Sequence, residues 1–219
     1  MKLKRFISPM LDQNMYAVCE GSHCFIVDPF AGEGTDEFLA GLSIDFLLVT
    51  HEHYDHISGV NALKTKYAAP LYANQKCDEH MRKPTKNYSK YFEAYMQFQA
   101  GVELRDLTID PAYSCCADHI IDDAYRMDWR GHKIFIKSAP GHSAGGSLIF
   151  LDDSCMFSGD CMLPPELPAA RFPGGDNKAF EAVTLPYLRS LDKLLTVYPG
   201  HGDNFLLKDF HLLQKEAHF

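Results

Sequence analysis

The sequence predicts an α/β fold, a single domain over residues 1–219, on three observations. At 219 residues and 46% apolar composition, the chain is long enough to bury one large core, and two packed sheets suit that size. Apolar runs of strand length recur along it. Four of them, Asp45 to Thr50, Lys133 to Ser138, Ser154 to Phe157 and Leu195 to Tyr198, lead directly into a turn bearing side chains that bind metals.

The first of these turns is His51-Glu52-His53-Tyr54-Asp55-His56, with three imidazoles and a carboxylate able to serve as ligands. Extended backbone alternates faces, so His51 and His53 are expected to point the same way, about 6 to 7 Å apart, close enough to chelate one ion. Asp55 and His56 come where the chain turns and can face a second. The other turns are Gly-rich: Ala139-Pro140-Gly141-His142-Ser143, Ser158-Gly159-Asp160 and Pro199-Gly200-His201-Gly202. Ligands at strand ends rest on rigid supports, and the glycines let backbone approach an ion without a Cβ in the way.

His51-x-His53-x-Asp55-His56 followed by His142, Asp160 and His201 resembles the metallo-β-lactamase superfamily in its glyoxalase II-like branch of small hydrolases, over roughly residues 14 to 202. The resemblance implies an αβ/βα four-layer sandwich, two mixed sheets with helices on the outer faces. It also implies a first metal on His51, His53 and His142, a second on Asp55, His56 and His201, and Asp160 bridging them. Five histidines and two aspartates suit zinc better than magnesium or calcium, so two Zn2+ are expected, with iron or a mixed iron and zinc pair as the alternative. Such a pair would lower the pKa of a shared water to about 7, and no serine or cysteine nucleophile is needed. Asp55 is the candidate catalytic residue, orienting the attacking hydroxide or carrying its proton.

These features predict a metal-dependent hydrolase of a small thioester, ester or lactone. The competing readings are a mononuclear iron enzyme similar to persulfide dioxygenases and a non-catalytic metal-binding sensor of the same fold. Only 18 residues follow His201, whereas glyoxalase II carries a helical glutathione-binding domain there, so hydroxyacylglutathione is not the expected substrate. The long insertion of the nuclease branch is missing, and class B β-lactamases typically place cysteine where Asp160 stands. The Arg171 to Asp176 loop resembles one that follows the bridging aspartate in small hydrolases of this branch. Arg171 there, and Tyr88, are candidate substrate residues.

A net charge of −8 points away from nucleic acid and anionic membranes. Two divalent ions against two aspartates and a hydroxide still leave about one positive charge, so a small anionic substrate fits. No run reaches the ~18 apolar residues of a membrane span. The basic start Met1 to Phe6 lacks the apolar stretch of a leader, and seven cysteines without a C-x-x-C motif favour free thiols and the cytoplasm. If Gly21-Ser22 forms a hairpin turn, Cys19 and Cys24 face each other, most simply as two small buried thiols. Cys161 is read as packing.

In order along the chain, Lys2 to Ser8 reads as a strand, and Met15 to Glu20 with His23 to Asp28 as a hairpin stopped by Asp28-Pro29. Gly32 to Leu42 reads as a helix capped by Thr35, Ile44 to Thr50 as a buried strand, Ile57 to Tyr67 as a helix and Pro70 to Ala73 as a strand. Residues 74–118 form an insertion or lid-like segment. Within it Tyr88, Tyr91, Phe92 and Tyr95 mark one helix face, which either packs on the sheet or overhangs the metals. Ile120 to Trp129 pairs with His132 to Lys137 through Arg130-Gly131, with Trp129 packed between sheets and His132 exposed. Ser147 to Leu151 and Cys155 to Ser158 form a hairpin through Asp152-Asp153. Asn177 to Leu194 is helical with a kink or break at Pro186, and Phe205 to Glu216 is a last helix. His23, His80, His119, His132, His211 and His218 are expected not to bind metal.

Overall fold

The computed structural model describes residues 1–97, 108–163, 174–210 and 213. They fall into two compact units, Met1–Ile121 and Asp122–Phe219, each built on a six-stranded mixed sheet.

In the first unit the sheet runs in chain order: β1 (Lys2–Ile7), β2 (Asn14–Glu20), β3 (His23–Val27), β4 (Ser43–Leu48), β5 (Leu71–Asn74) and β6 (His119–Ile121). The first three strands are antiparallel, and β3 through β6 are parallel. Strands β2 and β3 are buried along nearly their whole length, hence the continuous apolar runs. Gly21 supplies the positive φ (+61°) of the turn joining them, and Cys19 pairs with Cys24 in register. The structure joins these two as a disulfide, against the expectation of free thiols, because the register sets their Cα atoms 4.1 Å apart.

Helix α1 (Glu33–Leu39) begins one turn earlier than Thr35 suggests. Gly32 is its cap and Thr35 its third residue, whose hydroxyl accepts from the Gly32 amide at 3.0 Å and donates to the Gly32 carbonyl at 2.7 Å. Helix begins inside the histidine hexad, as α2 (Tyr54–Ile57), and resumes after a break as α3 (Val60–Tyr67). Gly59 lies between them against Phe30, where an added Cβ would stand 2.5 Å from backbone, so no larger residue fits. Helices α4 (Gln75–Met81) and α5 (Ser89–Tyr95) follow β5. The core holds Met15, Ile26, Leu47, Val49, Leu63, Leu71, Met81 and Phe92.

The second unit's sheet has the order β12-β11-β10-β9-β8-β7, with β7 (Ala124–Trp129), β8 (His132–Ser138), β9 (Ser147–Leu151), β10 (Cys155–Gly159), β11 (Thr196–Pro199) and β12 (Phe205–Leu206). The expected strand Ile120 to Trp129 is therefore two strands in two sheets, parted at Asp122-Asp123, because β6 pairs with β5 and β7 with β8. Arg130 and Gly131 both take positive φ, the form of a two-residue hairpin turn that matches strand twist. Trp129 is buried, and His132 is only half-exposed, its Nδ1 bonded to Asp152. The region around Pro186 changes helical register, from α6 (Asn177–Ala179) through a wide π turn at Phe180–Thr184 to α7 (Leu185–Ser190). Proline has no N–H for the usual helical bond, which the wider turn accommodates. Phe205-Leu206 pairs with β11 as a strand instead of opening a helix, Leu207–Asp209 forms a single 3-10 turn, and residues 211, 212 and 214–216 of that predicted helix lie outside the described residues.

Candidate metal centre

In the first unit the C-terminal ends of the parallel strands β3 and β4 lie side by side, the Asp28 amide donating to the Leu48 carbonyl at 3.0 Å. The hexad leaves β4 there. His51 and His53 stand in the turn rather than in the strand, with ring centroids 4.6 Å apart, and the His51 and His56 rings are 4.1 Å apart. Asp55 and His56 fall in α2 and are buried.

One carboxylate orders this half. Asp28 is buried, with backbone in the left-handed region (φ +52°). Its Oδ1 accepts from the Thr50 amide at 2.6 Å, and its Oδ2 accepts from Thr50 Oγ1 at 2.7 Å and His56 Nδ1 at 2.9 Å. Because Thr50 Oγ1 donates to Asp28, its oxygen is left to accept from His51 Nδ1 at 3.0 Å. Both rings thus hold their proton on Nδ1 and turn the Nε2 lone pair outward, as a metal ligand requires. Asp28 was read from the sequence only as the end of a hairpin. Its one signal in the sequence, an acidic residue at the C-terminal end of an apolar run, equally marks the end of a strand.

Glu52 was likewise missed. It is buried, and its Oε1 meets His80 Nδ1 at 2.9 Å. Burial pushes its carboxyl up, but the His80 hydrogen bond and the nearby His53 together outweigh this and hold it below the usual range. Tyr88 places its ring against His53, centroids 5.1 Å apart and nearly perpendicular. Phe92, from the same aromatic stripe, is buried against Tyr54, so the stripe divides between core and site.

In the second unit β8 and β10 are each antiparallel to β9 and so run the same way, as does β11, parallel to β10. Their C-terminal ends share one edge and carry His142, Asp160 and His201. The Gly200 amide donates to the Gly159 carbonyl at 2.9 Å, locking two of these turns together. Gly141 has φ +151°, and a Cβ there would stand 2.7 Å from Phe180. Asp160 Oδ2 is 3.6 Å from His142 Nε2 and 3.5 Å from His201 Nε2. Cys161 packs in the core, its thiol pushed up to about 12 by burial, with Asp160 adding to the effect.

These separations test the fit of an ion. They exceed the about 2.7 to 3.2 Å of a good hydrogen bond. Two ligands each about 2.0 to 2.1 Å from a tetrahedral zinc lie about 3.3 to 3.4 Å apart. The Asp160 pairs match that spacing, and so does His56 Nε2 with Asp55 Oδ2 at 3.5 Å. Each unit gathers its own share of the candidate ligands, His51, His53, Asp55 and His56 in the first and His142, Asp160 and His201 in the second. Imidazole and carboxylate donors so placed fit divalent metal. Arg171 lies outside the described residues.

A family model of the metallo-beta-lactamase superfamily matches residues 9–201. The chain belongs to that superfamily. It is 25% identical to the probable metallo-hydrolase YqgX of Bacillus subtilis over 92% of this chain and 90% of that protein. To the hydroxyacylglutathione hydrolase of Aeromonas hydrophila it is 25% identical over 84% of this chain but 56% of that one. Among solved structures, the BLEG-1 B3 metallo-beta-lactamase matches with a TM-score of 0.76 at 21% identity, covering 95% of both chains. TTHA1623 in a di-iron-bound form matches at 0.68 and 25% identity, covering 94% of this chain and 96% of that one. The fold is that of the superfamily, and the relatives place the chain among metallo-hydrolases. Among the described residues no helix is long and apolar enough to cross a membrane.

Proposed function

We propose that the chain is a dizinc hydrolase of a small thioester, ester or lactone. His51, His53 and His142 would take one ion and Asp55, His56 and His201 the other, with Asp160 shared. The observation that carries this reading is the single Asp160 oxygen almost equally spaced from two imidazole nitrogens, the arrangement of a bridging ligand. Zinc bound there supplies Lewis acidity and a water of lowered pKa.

The residues divide the remaining work. Asp28 and Thr50 keep His51 and His56 in the ligating tautomer, so no rearrangement is needed when the reaction begins. Asp55, buried beside His56, holds the nucleophile in line or takes its proton. A small anionic substrate suits the residual positive charge of the loaded site.

Elemental analysis of protein purified without added metal, together with turnover on thioester, ester and lactone panels, tests the reading. About two zinc ions per chain and loss of turnover in His53→Ala and Asp160→Ala are expected. One iron per chain with oxygen uptake would replace this reading with an oxygenase, and inert metal-loaded protein would leave a sensor.

A further inference from the structure

Tyr88 occupies backbone that its side chain disfavours. Its φ of +66° and ψ of 4° lie in the left-handed region, where glycine and asparagine are at home and a bulky aromatic is rare. Its neighbours hold it there. Asn87, fully buried, donates from Nδ2 to the carbonyls of Met81 at 3.0 Å and Tyr113 at 2.9 Å, while its Oδ1 accepts from the Ser89 amide at 2.9 Å. Ser89, also fully buried, donates to the Tyr113 carbonyl at 3.3 Å. Tyr113 in turn donates its hydroxyl to the Ile57 carbonyl at 2.6 Å, at the end of the helix that carries Asp55 and His56. Residue 88 is therefore indexed, bond by bond, to the candidate ligands.

A strained conformation fixed by its surroundings points to a use for the side chain it carries. The Tyr88 ring sets against His53 and remains half-exposed, so part of its surface is open to a ligand. Resting on the hydrolase reading above, we propose that Tyr88 is the specificity-determining residue of the site, its ring forming a wall that receives a planar apolar group of the substrate's acyl part. Such a ring favours aromatic over small aliphatic partners through edge and offset contacts.

The test uses the metal-loaded protein and two carboxylate probes, benzoate and acetate, with affinities from calorimetry and metal content measured alongside. Metal uptake by the unmutated protein checks the hydrolase reading separately. Given that uptake, a benzoate preference of about tenfold is expected. Tyr88→Asn, which suits left-handed backbone, should abolish the preference with unchanged metal content and an equal or higher melting temperature. Tyr88→Phe should keep it, as should Tyr91→Ala at the exposed neighbour. Equal binding of the two probes by the unmutated protein, a preference surviving in Tyr88→Asn, or a Tyr88→Asn variant that loses metal or melts lower would each overturn the proposal.

Discussion

At the scale of single residues, the side chains that orient the candidate ligands carry as much of the site as the ligands themselves. Thr50 passes the Asp28 carboxylate's influence to His51 while Asp28 acts on His56 directly. Thr50→Val keeps the shape and removes the relay, so His51 loses its fixed tautomer. Metal affinity is expected to fall by about 10- to 100-fold, read by competition with a chromogenic chelator. An unchanged affinity would show that the ring orients itself. Glu52 gives a pH signature. Its carboxyl is held below the ordinary value, so the stability it contributes is present above about pH 4.5 and is lost as pH falls through the folded-state value. Glu52→Gln of the metal-free protein should show a flatter acid limb than the parent in denaturant melts between pH 5 and 3, with little difference at neutral pH. The seven candidate ligands stand out in the sequence because each is a metal-binding residue type at the end of an apolar run. Asp28 and Glu52 do not, since the sequence cannot tell a buried acid that accepts hydrogen bonds from one that ends a strand or lies on a polar loop.

At the scale of elements, what was legible follows how each is buried. Strand β9 is buried along its whole length, β4 and β10 along most of theirs, and they read as largely apolar runs ending in their turns. Hairpins with two-residue turns were legible from Gly21-Ser22 and Arg130-Gly131. Which sheet a strand joins is not a local property, and so Ile120 to Trp129 looked like one strand. The Cys19–Cys24 link closes a loop of only a few residues, and its removal by a double change to serine is expected to cost about 2 kcal/mol. Melting the parent with and without reductant checks this, and an equal shift in the double variant would put the effect elsewhere. Gly141 is a sharper case, because its left-handed φ and its contact with Phe180 both forbid a Cβ. Gly141→Ala should destabilise by about 1 to 3 kcal/mol and weaken metal binding, since the turn it distorts carries His142. Stability lost with full metal affinity would show that the turn yields away from the ligand.

At the scale of the whole molecule, the candidate ligands are divided between the two compact units: His51, His53, Asp55 and His56 lie in the first, His142, Asp160 and His201 in the second. In the proposed function the ions draw on both, so metal should stabilise the units jointly. Ligand present at 100 times its dissociation constant adds about 2.7 kcal/mol to the folded state. Trp129 is the only tryptophan and is buried in the second unit, so its fluorescence reports the unfolding of that unit. Zinc should raise the melting temperature seen by Trp129 in the parent protein, and a chelator should reverse the rise. His53→Ala removes a donor from the first unit and leaves every residue of the second in place. If the ions are shared, the rise reported by Trp129 shrinks sharply in this variant, as it does in His142→Ala. If the second unit holds metal unaided, Trp129 responds to zinc equally with and without His53, and the shared centre is wrong.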